Sequence, residues 1–298
     1  MSQVGLLGNC RMKYSIAILI SIIFPDLGIL GSELRYGIVV RPTLDVKKEP
    51  KFRSERVSQL IYGEVFKVEN IEKEYASGNS LKDDYQGYVD VRGLILVDKK
   101  VGERYYNQCI SKEGLVVTER FTPILAKPTS TAKMVFYVPF GARFVVDTVI
   151  KDFWRVVLPD KKYGYIPLKF AKKGKNIKED VVELAEEWLY TPYLWGGTST
   201  FGTDCSGFIS RLYFAKGIII PRDSYQQEKI VKEVHDLEKL PAGGLIFFPG
   251  HVGLYDGNGM IIHANGHSGC VSKNYILKPR TDYEKELKQE IGKMGVLP

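Results

Sequence analysis

Cys205 lies in the step Asp204-Cys205-Ser206-Gly207, and His251 and His263 follow in "HVGLYDGNGMIIHANG". A cysteine that attacks a carbonyl needs a general base within hydrogen-bond reach and a third polar group to orient that base. The step from loop to the apolar run "CSGFISRLYFA" predicts a helix starting near Cys205 and running through Tyr213 or Lys216. Backbone N–H groups at such a start would lower the thiol pKa and could hold a developing oxyanion. Taken alone, Cys205 reads more readily as a buried structural thiol, and each histidine as a satisfied strand residue. The strands "HVGLYDG" and "MIIHAN" change that balance, because the tight turn "DGNG" between them would bring His251 and His263 together. One imidazole then serves as base and the other as its orienter, which is the chemistry of acyl transfer.

The elements that must position these residues follow an α+β pattern. Ile177, Val181, Leu184, Ala185, Trp188 and Leu189 recur at helical spacing, which predicts an amphipathic helix with Trp188 in the core. After Cys205 the chain turns strand-rich, with "LIFFPG" ahead of the two histidine strands. From Gly37 to about Lys172 short β-runs alternate with turn residues. They form an internal repeat: "VVRPTLDVKKEP…GEVFKVEN…DDYQGYVDVRGL" and "VVTERFTPILAKPTS…GARFVVDTVI…KYGYIPLKF". Each repeat suggests a small β-barrel. The charged stretch "AKKGKNIKED" then serves as a linker.

The chain has 298 residues and a net charge of +7, which suits two or three domains and an anionic partner surface such as a wall polymer, nucleic acid or lipid headgroups. Its four cysteines include no CxxC pair, and the histidines show no zinc-type spacing with them, so no metal or organic cofactor is implied. A Cys109–Cys270 disulfide stays open. At the amino end, Arg11 and Lys13 precede the apolar run Ile16 to Phe24 and small residues at Gly31 and Ser32. That order predicts a secretory signal peptide, with a retained anchor as the alternative.

The set "YLWGG", "DCSGFISRLYF", "IPRDSYQQ", "LIFF", "HVGLYDGNG" and "IIHA" resembles the NlpC family of papain-like cysteine peptidases, which cleave peptides of bacterial peptidoglycan. The two β-repeats look like tandem bacterial SH3-like domains, which often accompany cell-wall hydrolases. The resemblance implies a papain-like catalytic domain preceded by two small SH3-like β-barrels. It divides the chain into a leader (1–33), a first SH3-like domain (34–100), a second (101–172) and the peptidase domain (173–298). It implies Cys205 as nucleophile, His251 as base and His263 as third member, with Tyr193 helping the oxyanion hole. Trp195 would shape the cleft wall, or simply pack the core.

Within the family, a subset with SH3-like domains cuts between γ-D-glutamate and a diamino acid in peptides with a free N-terminal L-alanine. Its Arg-Asp-Ser run is matched by Arg222, Asp223 and Ser224. A carboxylate such as Asp223 would bind the α-ammonium, although Asp223 equally fits the cap of the next helix. The first barrel of that subset closes the amine pocket with a tyrosine and an acid, for which Tyr85 and Glu55 are the matches, with Glu64 close behind. The implied partners are muropeptides rather than nucleic acid, outside the cytoplasm. A papain-like amidase or lipid acyl hydrolase, or a non-catalytic wall-binding protein, remain the competing readings.

Overall fold

The computed structural model describes residues 35–174, 177 and 180–298. The leader expected over 1–33, including Cys10, lies outside these residues. Alternation of apolar and polar side chains builds the first half. Strand Thr43–Lys47 buries Leu44 and Val46 and turns Thr43, Asp45 and Lys47 outward, the period of a half-buried strand. Seven strands form the first sheet: β1 (Tyr36–Val39), β2 (Thr43–Lys47), β3 (Arg56–Ile61), β4 (Val65–Glu72), β5 (Tyr75–Ser80), β6 (Gln86–Asp90) and β7 (Leu94–Val97). Seven more form the second: β8 (Leu115–Val117), β9 (Phe121–Leu125), β10 (Met134–Pro139), β11 (Arg143–Ile150), β12 (Phe153–Val157), β13 (Tyr163–Pro167) and β14 (Ala171–Lys173).

The spatial order is β3-β2-β6-β5-β4-β1-β7 in one sheet and β10-β9-β13-β12-β11-β8-β14 in the other. Counted from each sheet's own first strand, these orders are the same, so the internal repeat is a repeat of topology. Helix α1 (Lys99–Cys109) joins the two sheets and spans the division expected at residue 100. It starts on an Asp98 side-chain cap to the Val101 N–H. Gly102 lets the helix lie against Tyr36, since a Cβ there would sit 2.6 Å from the Tyr36 Cβ. The run "KKVGERYYNQC" concealed this helix, because the side chains it packs inward, Tyr105, Tyr106 and Cys109, include no aliphatic residue.

The last part is a six-stranded sheet backed by helices. Helix α2 (Val181–Glu187) opens with an Asp180–Glu183 capping box, and Trp188 is fully in the core. A short hairpin, β15 (Thr198–Ser199) and β16 (Gly202–Thr203), leads to helix α3 (Cys205–Ala215), which is buried along its whole length. Helix α4 (Ser224–Ile230) follows. The sheet consists of β17 (Lys232–Glu233), β18 (Leu245–Phe248), β19 (His251–Tyr255), β20 (Met260–Asn265), β21 (Cys270–Tyr275) and, after helix α5 (Asp282–Gln289), β22 (Met294–Val296). Its order is β17-β22-β18-β19-β20-β21.

The apolar residues of α3 pack on Val252, Leu254, Ile262, Ala264 and Val271, and the same core takes in Val116 and Phe140 of the second sheet. Cys109, Cys205 and Cys270 are all free thiols, so the disulfide left open between Cys109 and Cys270 is not formed. Among the described residues no helix is long and apolar enough to cross a membrane.

Candidate active site

Asp204 is the N-cap of α3, and its Oδ1 accepts the Gly207 N–H at 2.7 Å. Its other oxygen takes the Gly196 N–H at 2.9 Å and the Arg222 guanidinium at 2.6 Å. One carboxylate therefore ties the "WGG" turn, the start of α3 and the Arg-Asp-Ser run together. The two glycines make this possible. A Cβ on Gly207 would sit 2.1 Å from the Gly197 oxygen, and Gly196 has a φ of +73°.

Cys205 stands at the first turn of α3 and keeps 7% exposure. Its sulfur receives hydrogen bonds from the backbone N–H groups of Ser206 and of Val252, the residue after His251. The helix start expected to lower the thiol pKa does not prevail. Burial and the Asp204 charge push the thiol up to about 11, against the opposing pull of those N–H groups and of Arg222. Burial, and for His251 its neighbour His263, holds the two imidazoles down to about 3 and about 4. These shifts favour the neutral form of the thiol and of both imidazoles.

His251 Nε2 and His263 Nδ1 are 2.7 Å apart. The register Leu254–Ile262 and Tyr255–Ile261 continues to place His263 across from Gly253. A Cβ on Gly253 would meet the His263 Cβ at 3.0 Å and Ile261 at 2.4 Å. The missing side chain is what lets the His263 ring lean diagonally toward His251. His251 and His263 alternate along their strands with Val252, Leu254, Ile262 and Ala264, which share a core with α3, and the Val252 N–H bonds the Cys205 sulfur near the start of β19. Tyr193 lies close enough to Cys205 and Asp204 for their charges, after burial, to raise its phenol pKa. Its hydroxyl therefore stays a donor.

The remaining sequence-predicted residues fall into two groups. Tyr85 donates to both carboxylate oxygens of Asp223 at 3.4 Å, across the junction of the first sheet and the catalytic part. Asp223 occupies the N-cap position of α4 with no side-chain capping bond, so its carboxylate is turned toward Tyr85 instead. Burial raises the Asp223 pKa, with Arg222 and Tyr85 pulling the other way. Both residues line a cavity of about 650 Å³, together with Asp83, Ile219, Tyr225 and Gln226. Ser224, the first residue of α4, is half-buried beside them.

Trp195 is 59% exposed, which rules out a place in the core. Its indole N–H donates to Glu55 at 2.9 Å and its carbonyl accepts from Arg56 at 3.1 Å. Glu55 thus meets Trp195 rather than lining the Tyr85–Asp223 cavity. The Arg222 guanidinium is buried and bonded to Ser58, Ser206 and Asp204, which ties it to the nucleophile's helix, and the residue also lines the Tyr85–Asp223 cavity. Glu64 accepts from Arg211 at 2.6 Å and from the Ile61 N–H, which removes it as a pocket acid. Sequence reasoning missed Asn274, whose Oδ1 lies 3.0 Å from His263 Nε2. Its strand, β21, carried no apolar alternation to announce it.

Comparison with known proteins agrees with this layout. Residues 190–287 match the NlpC/P60 family, and residues 46–94 match the bacterial dipeptidyl-peptidase Sh3 domain. Dipeptidyl-peptidase 6 of Lysinibacillus sphaericus is 30% identical over 275 residues, covering 88% of this chain and 99% of that protein. The γ-D-glutamyl-L-lysine dipeptidyl-peptidase of Bacillus subtilis is 40% identical over 125 residues, 39% of this chain and 41% of that protein. An NlpC/P60 family protein of Bacillus cereus has the same fold, with a TM-score of 0.74 at 21% identity over 88% of this chain and all of that one.

Proposed function

The chain belongs to the NlpC/P60 family of peptidases, and from that premise we propose that it hydrolyses the γ-D-glutamyl–diamino acid bond of muropeptides with a free N-terminal L-alanine. The observation that carries the reading is the Cys205 sulfur at the start of a helix, hydrogen-bonded by the N–H of Val252, the residue after His251, whose imidazole meets His263 at 2.7 Å. The Cys205 thiol attacks the γ-glutamyl carbonyl as His251 takes its proton, and the Tyr193 hydroxyl and the Cys205 backbone N–H stabilise the oxyanion. His251 returns the proton to the departing amine, leaving a thioester that water, activated by the same imidazole, hydrolyses. His263 orients His251 throughout.

The Tyr85–Asp223 contact supports the amine specificity. A half-buried carboxylate whose pKa burial raises is under-compensated, and an incoming ammonium would restore its charge pairing. Ser224 at the pocket edge holds the adjoining amide, while Glu55 and Trp195 clasp the rim. The first sheet then acts as a wall that admits trimmed peptides. The second, with the same strand order, is a second SH3-like domain, and the proposed division of the chain is 34–100, 101–172 and 173–298. A wall substrate, together with the leader sequence, supports export.

Mass spectrometry of muropeptides with free and with acetylated L-alanine tests both parts. Cleavage of the free-amine set alone is expected, with Cys205→Ala inactive. Equal cleavage of both sets would remove amine recognition, and hydrolysis by the Cys205→Ala variant would remove the nucleophile.

A further inference from the structure

The His251–His263 pair is the start of a longer hydrogen-bond chain. His263 is completely buried, and its Nε2 lies 3.0 Å from the Asn274 Oδ1. The Asn274 side chain also hydrogen-bonds the Glu284 carboxylate. A carboxylate of this kind only accepts, so it takes the Asn274 NH2 and leaves the amide oxygen facing His263. Ser272 Oγ lies 3.1 Å from that same oxygen. Glu284 is itself fixed from three sides. Its carboxylate accepts the backbone N–H groups of Tyr275 and Arg280 at 2.8 Å and of Thr281 at 3.1 Å, the last as half of the capping box of α5. Burial raises its pKa, but those N–H groups and Asn274 outweigh burial and hold it below its usual value.

The direction of every bond then follows. An amide oxygen accepts, so His263 carries its proton on Nε2. Its Nδ1 is therefore a lone pair and takes the Nε2–H of His251. His251 is left with Nδ1 as its basic nitrogen. The sheet register explains why these groups meet. His263 pairs with Ser272 on β21, and Asn274 is the next residue along on the same face.

We propose that Asn274, held by Glu284, is a positioning residue that sets the tautomer of His263 and through it that of His251, so that His251 keeps Nδ1 unprotonated for the Cys205 thiol. The role of His251 rests on the peptidase reading above; the tautomer assignment does not. Other groups near His263 are the His267 ring and the Asn265 amide, which bonds the His263 carbonyl. Neither bonds a ring nitrogen of His263 among the described contacts.

The test is Asn274→Leu in the full chain, which keeps the size of the side chain and removes the acceptor. Long-range proton–nitrogen spectra should show both imidazoles as Nε2–H in the parent and an Nδ1–H form of His263 in the variant. On muropeptides, kcat should fall ~10- to 100-fold, the usual cost of losing an outer partner of a working imidazole, with KM within about two-fold. Glu284→Gln, which preserves the length of the side chain, should produce the same tautomer mixture to a smaller extent and covers failure of the first variant to fold. Imidazoles that stay Nε2–H in every folded variant would overturn the proposal, as would an unchanged kcat in Asn274→Leu. A parent that cleaves no muropeptide while its variants still shift tautomer would sink the reaction and leave the positioning role standing.

Discussion

At the scale of single residues, burial governs the site more than the helix end does. A thiol raised to about 11 and an imidazole lowered to about 3 favour proton transfer during attack over a standing ion pair. Alkylation of Cys205, followed by peptide mass spectrometry, should therefore climb steadily through pH 9 to 10 and show no plateau near pH 5, where an ion pair would already react. The two histidines also link stability to pH. Their folded pKa values lie below the ordinary value of 6.5, so the unfolded chain binds more protons between them. Stability is thus whole above pH 6.5 and falls on acidification toward pH 4, by on the order of 1 kcal/mol per pH unit for each histidine. Urea melts at pH 7 and pH 5 measure it, and equal midpoints would contradict it. The Arg222–Asp204 pair is the third residue-scale feature, with both partners nearly sealed from water. Arg222→Met leaves the Asp204 charge without its ionic partner, held by the Gly196 and Gly207 N–H groups, which should cost about 3–5 kcal/mol in a urea melt. A loss under about 1 kcal/mol would show that the pair contributes little.

At the scale of elements, the constellation depends on where side chains are missing. Gly253 opens the diagonal between His251 and His263, and Gly207 opens the contact between α3 and the "WGG" turn. Gly253→Ala would drive a methyl into Ile261 and the His263 Cβ. Overpacking of that kind costs about 1–3 kcal/mol, and a shift of the imidazole near 1 Å costs about 100-fold in kcat. Steady-state kinetics and a thermal melt together check this; a variant with parental kcat would show that the diagonal tolerates a methyl. The strands and α3 were legible as elements because apolar periodicity is local. Helix α1 was not, because the side of "KKVGERYYNQC" that meets the core, with Gly102, Tyr105, Tyr106 and Cys109, holds no aliphatic residue to mark a period. Helix α5 escaped as well, although it carries Glu284.

At the scale of the whole molecule, the catalytic part is completed by the units before it. Arg211, buried in α3, is neutralised by Glu64 of the first unit at 2.6 Å. The β15–β16 hairpin is wedged between both units, with Thr198 donating to the Gln59 carbonyl and Thr200 to the Arg120 carbonyl. Phe201 stacks on Phe121, and Arg120 reaches back to the Leu189 carbonyl. A fragment starting at Asp180 would expose the core face that Val116 and Phe140 cover and leave Arg211 charged without its partner. It should aggregate or elute as oligomers on size exclusion, whereas the parent stays dispersed. A monomeric fragment with a cooperative melt would show that the units fold independently.

By itself the sequence determined the family, the α+β class, the repeat and the residue types that could do acyl transfer, because motif spacing and apolar periodicity are properties of neighbours in the chain. It brought forward Cys205, His251, His263, Tyr85 and Asp223 as candidates. Tertiary structure alone decided which of the acidic and basic residues near them face a cavity and which are bonded inward. Glu64 resembles a pocket residue in one dimension and turns out to be the internal partner of Arg211, while Arg222 both lines the Tyr85–Asp223 cavity and pairs with Asp204. It also set the direction in which the thiol and imidazole pKa values move, because these depend on the charges and N–H groups folded around each group, and no local pattern records burial.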